Sequence, residues 1–546
     1  MNLAYWLNTA WMWKCRIELA KFRRATASVE TTQAALLRDI LENNARSEFG
    51  RVHGFAGIRS AVEFQRRVPL AGYEDFSENI ERISAGERNV LTTDSVTLLE
   101  PTSGSSGAVK LIPYTASLRA QFQRGIDAWL GDLLNAFPAV RHGRAYWSIS
   151  PALGIQRKSN AGIPIGFDDD TAYLGSLEGR AIKHLLAVPP ELAKTRDLDQ
   201  FRYQTLLHLL AAEDLALISI WSPTFLTTLL SQLERRSVEF CRDLRNQRLR
   251  FRSRQLTRRP DVLEQILASA DSTAEKLRRI WPRLALISCW AEGASARYLG
   301  ELAELFPSVM VQPKGLLATE GFISFPLARS AGAALALRSH FFEFIDARGD
   351  LRLAHQLERG ESYQVVMTTG GGLYRYHLGD MIEVVNFENQ CPLLRFVGRA
   401  DGICDMVGEK VSENLVRVAL ERTFAEIGLT PRFAMMVPVD EGKRGYRLYV
   451  QGRNGDLSRA KLAIMRARVE EILTGNPYYD HALRLSQLRK LEVHALSSSA
   501  ESAWGVYERE CLRRGQKLGD IKPVVLHRGF DWPRFFEPLT EIRASE

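Results

Sequence analysis

The sequence has few cysteines, and none of them is spaced as a pair. The 546 residues include six cysteines and no C-x-x-C motif, which argues against a disulfide scaffold, a redox-active dithiol and a thiolate zinc site. The ten histidines form no H-x-x-x-H pair beside a carboxylate, so a zinc centre on a single helix is not expected. These absences predict buried free thiols in a reducing, cytoplasmic compartment.

Long apolar runs are also missing. The N-terminal stretch MNLAYWLNTAWMWK is apolar, but it is short and polar residues interrupt it, so it is too brief to span a membrane. It has neither the basic start nor the small-residue cleavage site of a signal peptide. We interpret it as a helix that docks on the rest of the protein. Contact with a membrane surface through Trp6, Trp11 and Trp13 is the alternative.

Charge of one sign is only modestly in excess. Lys and Arg number 72 against 64 Asp and Glu, which gives a net charge of +8. An arginine-rich run extends from Arg242 to Arg259, but Phe251 is its single aromatic residue, so we interpret it as a solvated face and predict no nucleic-acid partner. The 45% hydrophobic and 25% charged residues are typical of a globular enzyme. The length predicts two or three domains.

The order of predicted elements indicates an α/β protein. Residues 1–95 are predicted to be mostly helical. Three apolar runs then end in small or polar residues before a helix, at 145–150, 215–221 and 284–290. This pattern predicts a mostly parallel sheet covered by helices, with ligands at the carboxyl ends of its strands. We assign the tryptophans of these runs to the core, and we expect a β-rich subdomain at 340–387.

A junction rich in glycine follows the predicted β-rich part. After it the pattern changes to a small α+β module, with helices expected at 415–427 and 457–473 and strands at 432–438 and 447–451. The predicted domains are a large domain at 1–397, a hinge at 398–402 and a small C-terminal domain at 403–546. Arg399 and Asp401 lie in the hinge, whose glycines can absorb backbone rotation.

The stretch from Leu98 to Thr115, LLEPTSGSSGAVKLIPYT, is the strongest local signal. An extended apolar run leads into a loop with two glycines, four hydroxyl side chains and a lysine. Inward-turning N–H groups, hydroxyl donors and a positive charge together suit a polyphosphate. The lysine does not directly follow the second glycine, so this is not the loop of a P-loop ATPase. A Ser/Gly-rich surface turn is the alternative. The candidate phosphate-binding residues are Thr102, Ser103, Gly104, Ser105, Ser106, Gly107 and Lys110.

Two carboxylates occupy further candidate positions. Thr319 and Glu320 follow a strand-like run and a glycine turn, where the hydroxyl can hold a phosphate and the carboxylate can bind magnesium. Asp380 follows Gly379 at the end of a predicted glycine turn, where it could accept both hydroxyls of a ribose, as acidic residues do at other nucleotide sites. The alternative for Asp380 is an ordinary Gly-Asp hairpin turn.

Four weak signals in a fixed order resemble the acyl-adenylate-forming superfamily: the glycine-rich loop, the Thr-Glu pair, the Gly-Asp pair and Lys522 near the C-terminus. The glycine-rich loop is similar to its T-S-G-T-T-G-x-P-K signature, the Thr-Glu pair to Y-x-x-[ST]-E, and the Gly-Asp pair to Y-R-x-G-D. Val109, Leu316 and His377 depart from these patterns. The runs LLATEGFISFP, HFFEFI, TTGGGLYRYHLGD, FVGRADGICDMVGEK and GQKLGDIKP are similar to the auxin-responsive (Gretchen Hagen) acyl-acid amido synthetases, in a bacterial form.

This resemblance implies an activity and a set of roles. ATP and a carboxylic acid would give an acyl-adenylate and pyrophosphate, and an amine, usually an amino acid, would then displace AMP. It implies ATP and magnesium as cofactors, Glu320 as the metal ligand and Arg399 at the ATP site. It also implies a rotating small domain that brings a C-terminal lysine to the site. Lys522 is the best candidate for that lysine, with Lys517 as its competitor.

Two other functions remain open at this stage. An acyl-CoA ligase shares the first half-reaction and passes the acyl group to a thiol. A nucleotide-binding protein that has lost catalysis would account for the three departures from the signatures. The sequence names neither the acid nor the amine, and it predicts no oligomeric state.

Overall fold

A computed structural model describes residues 3–102, 110–148, 151, 157–166, 184–251, 258–400, 402–453, 456–497 and 502–544. The chain divides into two compact units. The large unit comprises Met1–Ala291 and Leu299–Phe396, and the small unit comprises Glu292–Tyr298 and Val397–Glu546. The unit boundary at Val397 lies beside the predicted hinge, although Asp401 itself falls outside the described residues.

The first five helices confirm that the N-terminal region is mostly helical. Side-chain caps begin several helices, as at Thr115, whose hydroxyl accepts a hydrogen bond from the N–H of Leu118. In the described residues, the helices of the large unit are α1 (Leu3–Ala25), α2 (Val29–Asn44), α3 (Glu48–Val52), α4 (Ala61–Arg67), α5 (Tyr73–Ser84), α6 (Ala116–Ala136), α7 (Leu198–Ala211), α8 (Pro223–Leu230), α9 (Ser237–Arg245), α10 (Pro260–Ala268), α11 (Thr273–Ile280) and α12 (Leu299–Leu305).

Seventeen strands begin in the described part of the large unit. They are β1 (Leu98–Thr102), β2 (Lys110–Tyr114), β3 (Arg144–Trp147), β4 (Arg157–Lys158), β5 (Pro164–Ile165), β6 (Leu215–Ser219), β7 (Leu286–Cys289), β8 (Met310–Pro313), β9 (Leu317–Ala318), β10 (Gly321–Phe322), β11 (Ser324–Pro326), β12 (Ala333–Leu335), β13 (Phe341–Ile345), β14 (Leu351–Leu353), β15 (Ser362–Thr368), β16 (Tyr376–Glu388) and β17 (Cys391–Arg399).

The three repeated apolar runs form neighbouring strands of one parallel sheet. Its order is β3-β6-β7-β8, and every pair in it is parallel. Strands β6 and β7 are fully buried, which explains their continuous apolar runs. The register pairs Ser219 with Ser288 and Ser288 with Gln312, so the carboxyl ends of these strands meet at one edge of the sheet. The predicted parallel sheet is therefore confirmed.

The β-rich part of the large unit is a separate sheet of seven strands. Its order is β11-β12-β17-β16-β15-β13-β14, and β15 pairs with both β13 and β16 in antiparallel register. The described part of the unit also contains two smaller sheets, β2-β1-β5-β4 and the hairpin β9–β10. The α/β fold class with a β-rich subdomain is confirmed.

Helix α1 docks on the large unit, as the sequence predicts. It packs along α6, where the Gly131 position has no room for a side chain because the carbonyl of Cys15 is 2.9 Å from a hypothetical Cβ. Asn8 also donates hydrogen bonds to the carbonyls of Arg141 and Gly143. On the other face of α1, Trp6 and Trp13 remain exposed. Within the described residues, no helix is long and apolar enough to cross a membrane.

The small unit is the predicted α+β module. A four-stranded sheet of order β20-β21-β22-β23 carries its core. In the described residues its elements are β18 (Ile403–Cys404), β19 (Val411–Ser412), α13 (Glu413–Glu426), β20 (Phe433–Asp440), β21 (Arg444–Gln451), α14 (Arg459–Thr474), α15 (Pro477–Arg484), β22 (Glu492–Leu496), α16 (Ala503–Arg513), α17 (Pro533–Phe536) and β23 (Thr540–Ala544).

Two composition-based predictions can be compared with the structure. All six cysteines are free and buried, as expected. The arginine-rich run is a solvated face at exposed Arg242, Arg245 and Arg248, which pair with carboxylates. The prediction is wrong for Arg258, which is buried and donates hydrogen bonds to the carbonyls of Leu210 and Ile280.

Candidate active site

The predicted phosphate loop connects two paired strands. Thr102 at the end of β1 lies opposite Lys110 at the start of β2. Ser103, Gly104, Ser105, Ser106 and Gly107 fall outside the described residues, as does Val109. The structure thus fixes the two ends of the loop and places its lysine on the hairpin.

Tyr73, which no sequence motif indicated, joins Lys110 to the second motif. The Nζ of Lys110 lies 5.2 Å from the centre of the Tyr73 ring, a cation–π distance. The Tyr73 hydroxyl accepts a hydrogen bond of 2.8 Å from the N–H of Leu111. Burial raises the pKa of Tyr73, and the negative charge of Glu320 acts in the same direction. Glu320 and Lys110 therefore both lie near this one tyrosine.

Glu320 sits with Thr319 in the two-residue turn between β9 and β10. The carboxylate is 8% exposed, and the Tyr376 hydroxyl donates to its Oε1 at 3.2 Å. The Tyr114 hydroxyl donates to the carbonyl of Thr319 at 2.7 Å. Two hydroxyls from β2 and β16 thus hold the turn, so Glu320 is presented by a fixed hairpin.

The buried His340 contacts the same β9–β10 hairpin. His340 Nε2 accepts the N–H of Phe322 at 2.9 Å, and Nδ1 lies 3.0 Å from Oε1 of Gln121. Burial lowers the pKa of His340 to about 3, so the ring is neutral and can accept at one nitrogen while donating at the other. The close approach requires glycine at position 321, where a Cβ would lie 2.9 Å from His340 Nε2.

Asp380 lies inside strand β16, so the predicted glycine turn before it is wrong, as is the alternative of a Gly-Asp hairpin turn. The register of β15 and β16 shifts between Gln364 and Val366, which marks a β-bulge. Gly379 has φ of +81° at this bulge, a value that favours glycine. Bulges re-aim side chains, and Asp380 is 7% exposed four residues beyond Tyr376 on the same strand. His377 instead contacts Gln364, with Nε2 2.7 Å from Oε1.

Arg375, which lies upstream of this motif, is buried in the core of the large unit. Arg375 forms a buried ion pair with Glu343, with its Nε 3.0 Å from Oε2, and it also donates to the carbonyls of Gln65 and Val68. Its side chain is 3% exposed. Arg375 therefore does not replace the arginine of the family signature, whose position is occupied by His377 in this chain.

An apolar cavity lies at the carboxyl edge of the parallel sheet. It has a volume of about 80 Å³. Leu317 of β9 forms part of its wall, so the strand that carries the Thr319–Glu320 turn also borders the cavity. The described residues that line it are Phe122, Ile126, Trp129, Trp147, Ser148, Ser219, Ile220, Trp221, Lys314, Gly315, Leu317, Phe322, Ser324, Phe325 and Pro326.

The cavity extends one prediction and adds a residue that the sequence analysis missed. Trp147 packs against the hydrophobic core, as predicted, but Trp147 and Trp221 are half-buried and also line the cavity, which the assignment to the core did not include. Lys314 is the one charged side chain among the described lining residues. Its Nζ donates to Ser219 Oγ at 2.8 Å, and burial lowers the pKa of its amine to about 7. No local motif marks this lysine, because its surroundings come from strands distant in sequence.

The remaining predicted residues belong to the small unit. Burial raises the pKa of Glu413, while the charges of Arg297, Lys522 and Arg399 act in the opposite direction. Arg399 and Lys522 thus lie within electrostatic range of one carboxylate. Lys517 precedes a short 3-10 helix, Leu518–Asp520.

The segment around Lys522 is more firmly held than its glycines suggested. Its neighbours Ile521 and Pro523 are buried while Lys522 is exposed. The Lys522 carbonyl accepts from the Tyr507 hydroxyl at 3.1 Å, and the N–H of Val525 donates to Glu413. The lysine is therefore anchored to the body of the small unit.

No cluster of three or more His, Cys, Asp or Glu side chains able to hold a metal ion occurs in the described part of the chain. A single carboxylate still suits magnesium, since this ion commonly binds proteins through one or two carboxylates and takes its other ligands from phosphates and water. Glu320 fits that requirement.

Comparisons with known proteins agree with this architecture. A profile of the GH3 family N-terminal domain matches residues 18–311, more than half of the chain, and one of the GH3 family central domain matches residues 333–399. A probable indole-3-acetic acid-amido synthetase GH3.12 of Oryza sativa subsp. japonica is 26% identical over 460 residues, covering 74% of each chain. Indole-3-acetic acid-amido synthetase GH3.2 of Arabidopsis thaliana is 24% identical, covering 74% of this chain and 80% of the relative.

Solved structures share the fold. The AtGH3.15 acyl acid amido synthetase in complex with 2,4-DB has a TM-score of 0.85, with 21% identity and 97% of both chains covered. A 2-hydroxyisobutyryl-CoA ligase in complex with 2-HIB-AMP has a TM-score of 0.51, with 13% identity and coverage of 93% of this chain and 91% of that one. The chain therefore belongs to the GH3 family.

Proposed function

We propose that this chain is an ATP-dependent ligase that joins a carboxylic acid to an amino acid through an acyl-adenylate. The observation that carries the proposal is that β2 joins the segments of Lys110 and Glu320: Lys110 begins this strand, and Tyr114 at its end donates to the carbonyl of Thr319, next to Glu320. These two charged residues come from the two motifs expected to face the phosphates of ATP. The curated relatives are named for indole-3-acetic acid, and the acid used by this chain is left open.

The chemistry consists of two displacements. In the first, a carboxylate oxygen attacks the α-phosphorus of ATP and the bond to the bridging oxygen of pyrophosphate breaks. In the second, the amine nitrogen attacks the acyl carbon, AMP leaves with the electron pair of the acyl–oxygen bond, and the amine loses a proton. Both steps need charge on the phosphates to be offset and both reactants to be held in line. Lys110 supplies positive charge at the end of the loop.

Glu320 is the proposed magnesium ligand. Its carboxylate is held by the Tyr376 hydroxyl and lies near Tyr73, and the nucleotide phosphates and water would supply the other ligands. Magnesium, when bound, neutralises phosphate charge. The Tyr376 hydrogen bond orients the carboxylate, and the Tyr114 hydrogen bond to the carbonyl of Thr319 keeps the turn in place.

The nucleotide would extend from this turn along β16. We assign the ribose hydroxyls to Asp380, which lies at the β-bulge, and the phosphates to Thr102, Thr319 and the loop residues Ser103 to Gly107. Leu316 gives no aromatic ring to stack on adenine, so we expect adenine to bind through apolar contact and backbone groups. Arg399 is the proposed contact from the small unit.

The small unit would rotate between the two half-reactions. In one pose Lys522 would stabilise adenylate formation, and in the other it would withdraw so that the amine can enter. Lys522 is anchored within its unit by the contacts of Tyr507 and Val525, so the unit would move as a body about the Arg399–Asp401 segment. Bacterial origin and a cytoplasmic location stay predictions from the sequence.

The first experiment separates the candidate reactions. Pyrophosphate release is measured with ATP, magnesium and a panel of aromatic, indolic and fatty acids, and mass spectrometry then identifies products formed with amino acids or with CoA. We expect acid-dependent pyrophosphate release and an amide. A thioester alone would favour the CoA ligase, and absence of release with every acid would contradict ligase activity.

The second experiment tests the metal site. Glu320→Gln keeps the shape of the side chain and removes its charge, so we expect a roughly 10- to 150-fold loss of magnesium-dependent pyrophosphate release, in line with losing a charged contact worth about 1.5–3 kcal/mol. Exposed Glu361 provides the matched control, Glu361→Gln. Equal rates in the two variants would remove Glu320 from the metal site.

A further inference from the structure

The cavity contains a buried positive group that the adenylation chemistry does not use. Lys314 follows β8, and its Nζ lies 4.9 Å from the centre of the Trp129 ring and 5.1 Å from that of Trp221. Among the described residues, the Lys314 Nζ donates a side-chain hydrogen bond to Ser219 Oγ. An ammonium group has three donors, so its hydrogen-bonding capacity is only partly used.

In the part of the chain that the structure describes, Lys314 forms no salt bridge with a carboxylate. Cys289 is an ionisable group that acts on it, but burial raises the pKa of this thiol to about 12, so it carries no charge at neutral pH. Burying a cation without an anion is costly unless a partner arrives. A lysine kept in such a place is typical of a site that receives an anionic ligand.

The side chains around Lys314 differ from those around the Thr319–Glu320 turn, since Trp129, Trp221 and Ser219 contact the lysine. The carboxylate that becomes adenylated must reach the Thr319–Glu320 turn, which Tyr114 and Tyr376 hold. Lys314 instead points to Ser219 at the carboxyl end of β6. Apart from Lys314 and three serines, the described walls of the cavity are apolar and largely aromatic, including Phe122 and Phe322. The cavity therefore suits an apolar body that carries an anionic group at Lys314.

We propose that the acid substrate carries a second carboxylate, remote from the one that is adenylated, and that Lys314 and Ser219 bind it between Trp129 and Trp221. Lys314 is then a specificity-determining residue of the reaction. This inference rests on the proposed ligase function. The aromatic faces hold the ammonium in place before the acid arrives, and the ligand carboxylate completes an ion pair inside the cavity.

The test compares acids that differ only in the charge of the remote group. A nitro group has nearly the shape of a carboxylate and no net charge. The probes are 1,4-benzenedicarboxylate, 4-carboxyphenylacetate and 3-(4-carboxyphenyl)propanoate, each paired with the nitro compound in which the remote carboxylate is replaced. Acid-dependent pyrophosphate release gives kcat and KM for each acid with the wild-type protein, Lys314→Met and the exposed-lysine control Lys194→Met.

We expect the wild-type protein to prefer at least one dicarboxylate over its nitro partner by tenfold or more in kcat/KM. Lys314→Met should lower kcat/KM for that dicarboxylate at least tenfold, mainly through KM, and leave the nitro compound within about threefold. Lys194→Met should behave as wild type. Ser219→Ala should show a smaller loss, because the ammonium remains.

Three results would overturn the inference. Equal losses for both members of a pair in Lys314→Met would make the lysine structural. Preference for the nitro compounds, or release with monocarboxylic acids and with no dicarboxylate, would exclude a remote anion while the ligase function stands. Absence of release with every acid of both kinds would contradict the ligase function itself, and the inference would fall with it.

Discussion

Replacing Lys314 by methionine should stabilise the large unit near neutral pH. The lysine is buried between Trp129 and Trp221, and among the described residues its Nζ donates a hydrogen bond to Ser219. Burial lowers the pKa of its amine from 10.5 to about 7. Methionine has a similar length, carries no charge and adapts well to aromatic surroundings, so it should fill the same space.

The size of the effect follows from the pKa. A fall from 10.5 to about 7 costs the folded protein about 5 kcal/mol where the amine is protonated in both states. The two tryptophan faces offset about 1–2 kcal/mol of this cost, and the variant leaves the Ser219 hydroxyl without its partner at about 1 kcal/mol. We therefore expect Lys314→Met to raise the free energy of unfolding by about 2 kcal/mol at pH 6–7.

The sign of the pH dependence is fixed by the lowered pKa. Between pH 7 and 10.5 the unfolded chain binds more protons at this lysine than the folded chain does, so the wild-type protein gains stability as the pH rises through that window. Below pH 7 the penalty is constant. Lys314→Met lacks this term, so its advantage over wild type should be greatest at pH 6–7 and should shrink toward pH 10.

Urea unfolding from pH 6 to pH 10, followed by tryptophan fluorescence, measures the difference. The two units can unfold in separate transitions, so the transition that reports the cavity tryptophans is the one to compare. Lys194→Met removes an exposed lysine and should follow the wild-type profile. Parallel profiles for Lys314→Met and wild type, or a less stable variant at pH 6–7, would refute the reasoning.

Four further predictions concern the site and its supports. Lys110→Ala should slow adenylation roughly 10- to 100-fold without changing stability, because this half-buried lysine contacts a tyrosine face and pairs with no carboxylate among the described residues; an unchanged single-turnover rate would place the phosphates elsewhere. Asp380→Ala should weaken ATP binding to a similar extent, and unchanged nucleotide affinity would place the ribose elsewhere. Arg375→Met should destabilise the large unit by about 3–5 kcal/mol, since it leaves the buried Glu343 carboxylate unpaired, and urea midpoints within error of wild type would contradict this. Lys522→Ala should slow adenylate formation and spare aminolysis of a supplied acyl-adenylate. Equal losses in both half-reactions would contradict the proposal that the small unit adopts two poses.

The sequence by itself determined the elements that depend on local pattern. The apolar runs of β6 and β7 predicted buried parallel strands, because a strand covered on both faces needs apolar residues at every position. The glycine and hydroxyl pattern between Thr102 and Lys110 predicted a loop between strands, and it lies between two paired strands. The order of the motifs also predicted the family, since each motif is readable within a few residues.

Only the tertiary structure decided which side chains meet and what their surroundings do to them. Lys110 lies near the ring of Tyr73, and Tyr114 of the same strand holds the turn that carries Glu320, although distant segments contribute these residues. Asp380 lies at a bulge because the longer stretch of β16 must pair with a shorter stretch of β15. Lys314 reads as an ordinary lysine in the sequence. Lys314 is buried beside two tryptophans because α6 and β6 pack around it. Such long-range contacts leave no local pattern in the sequence.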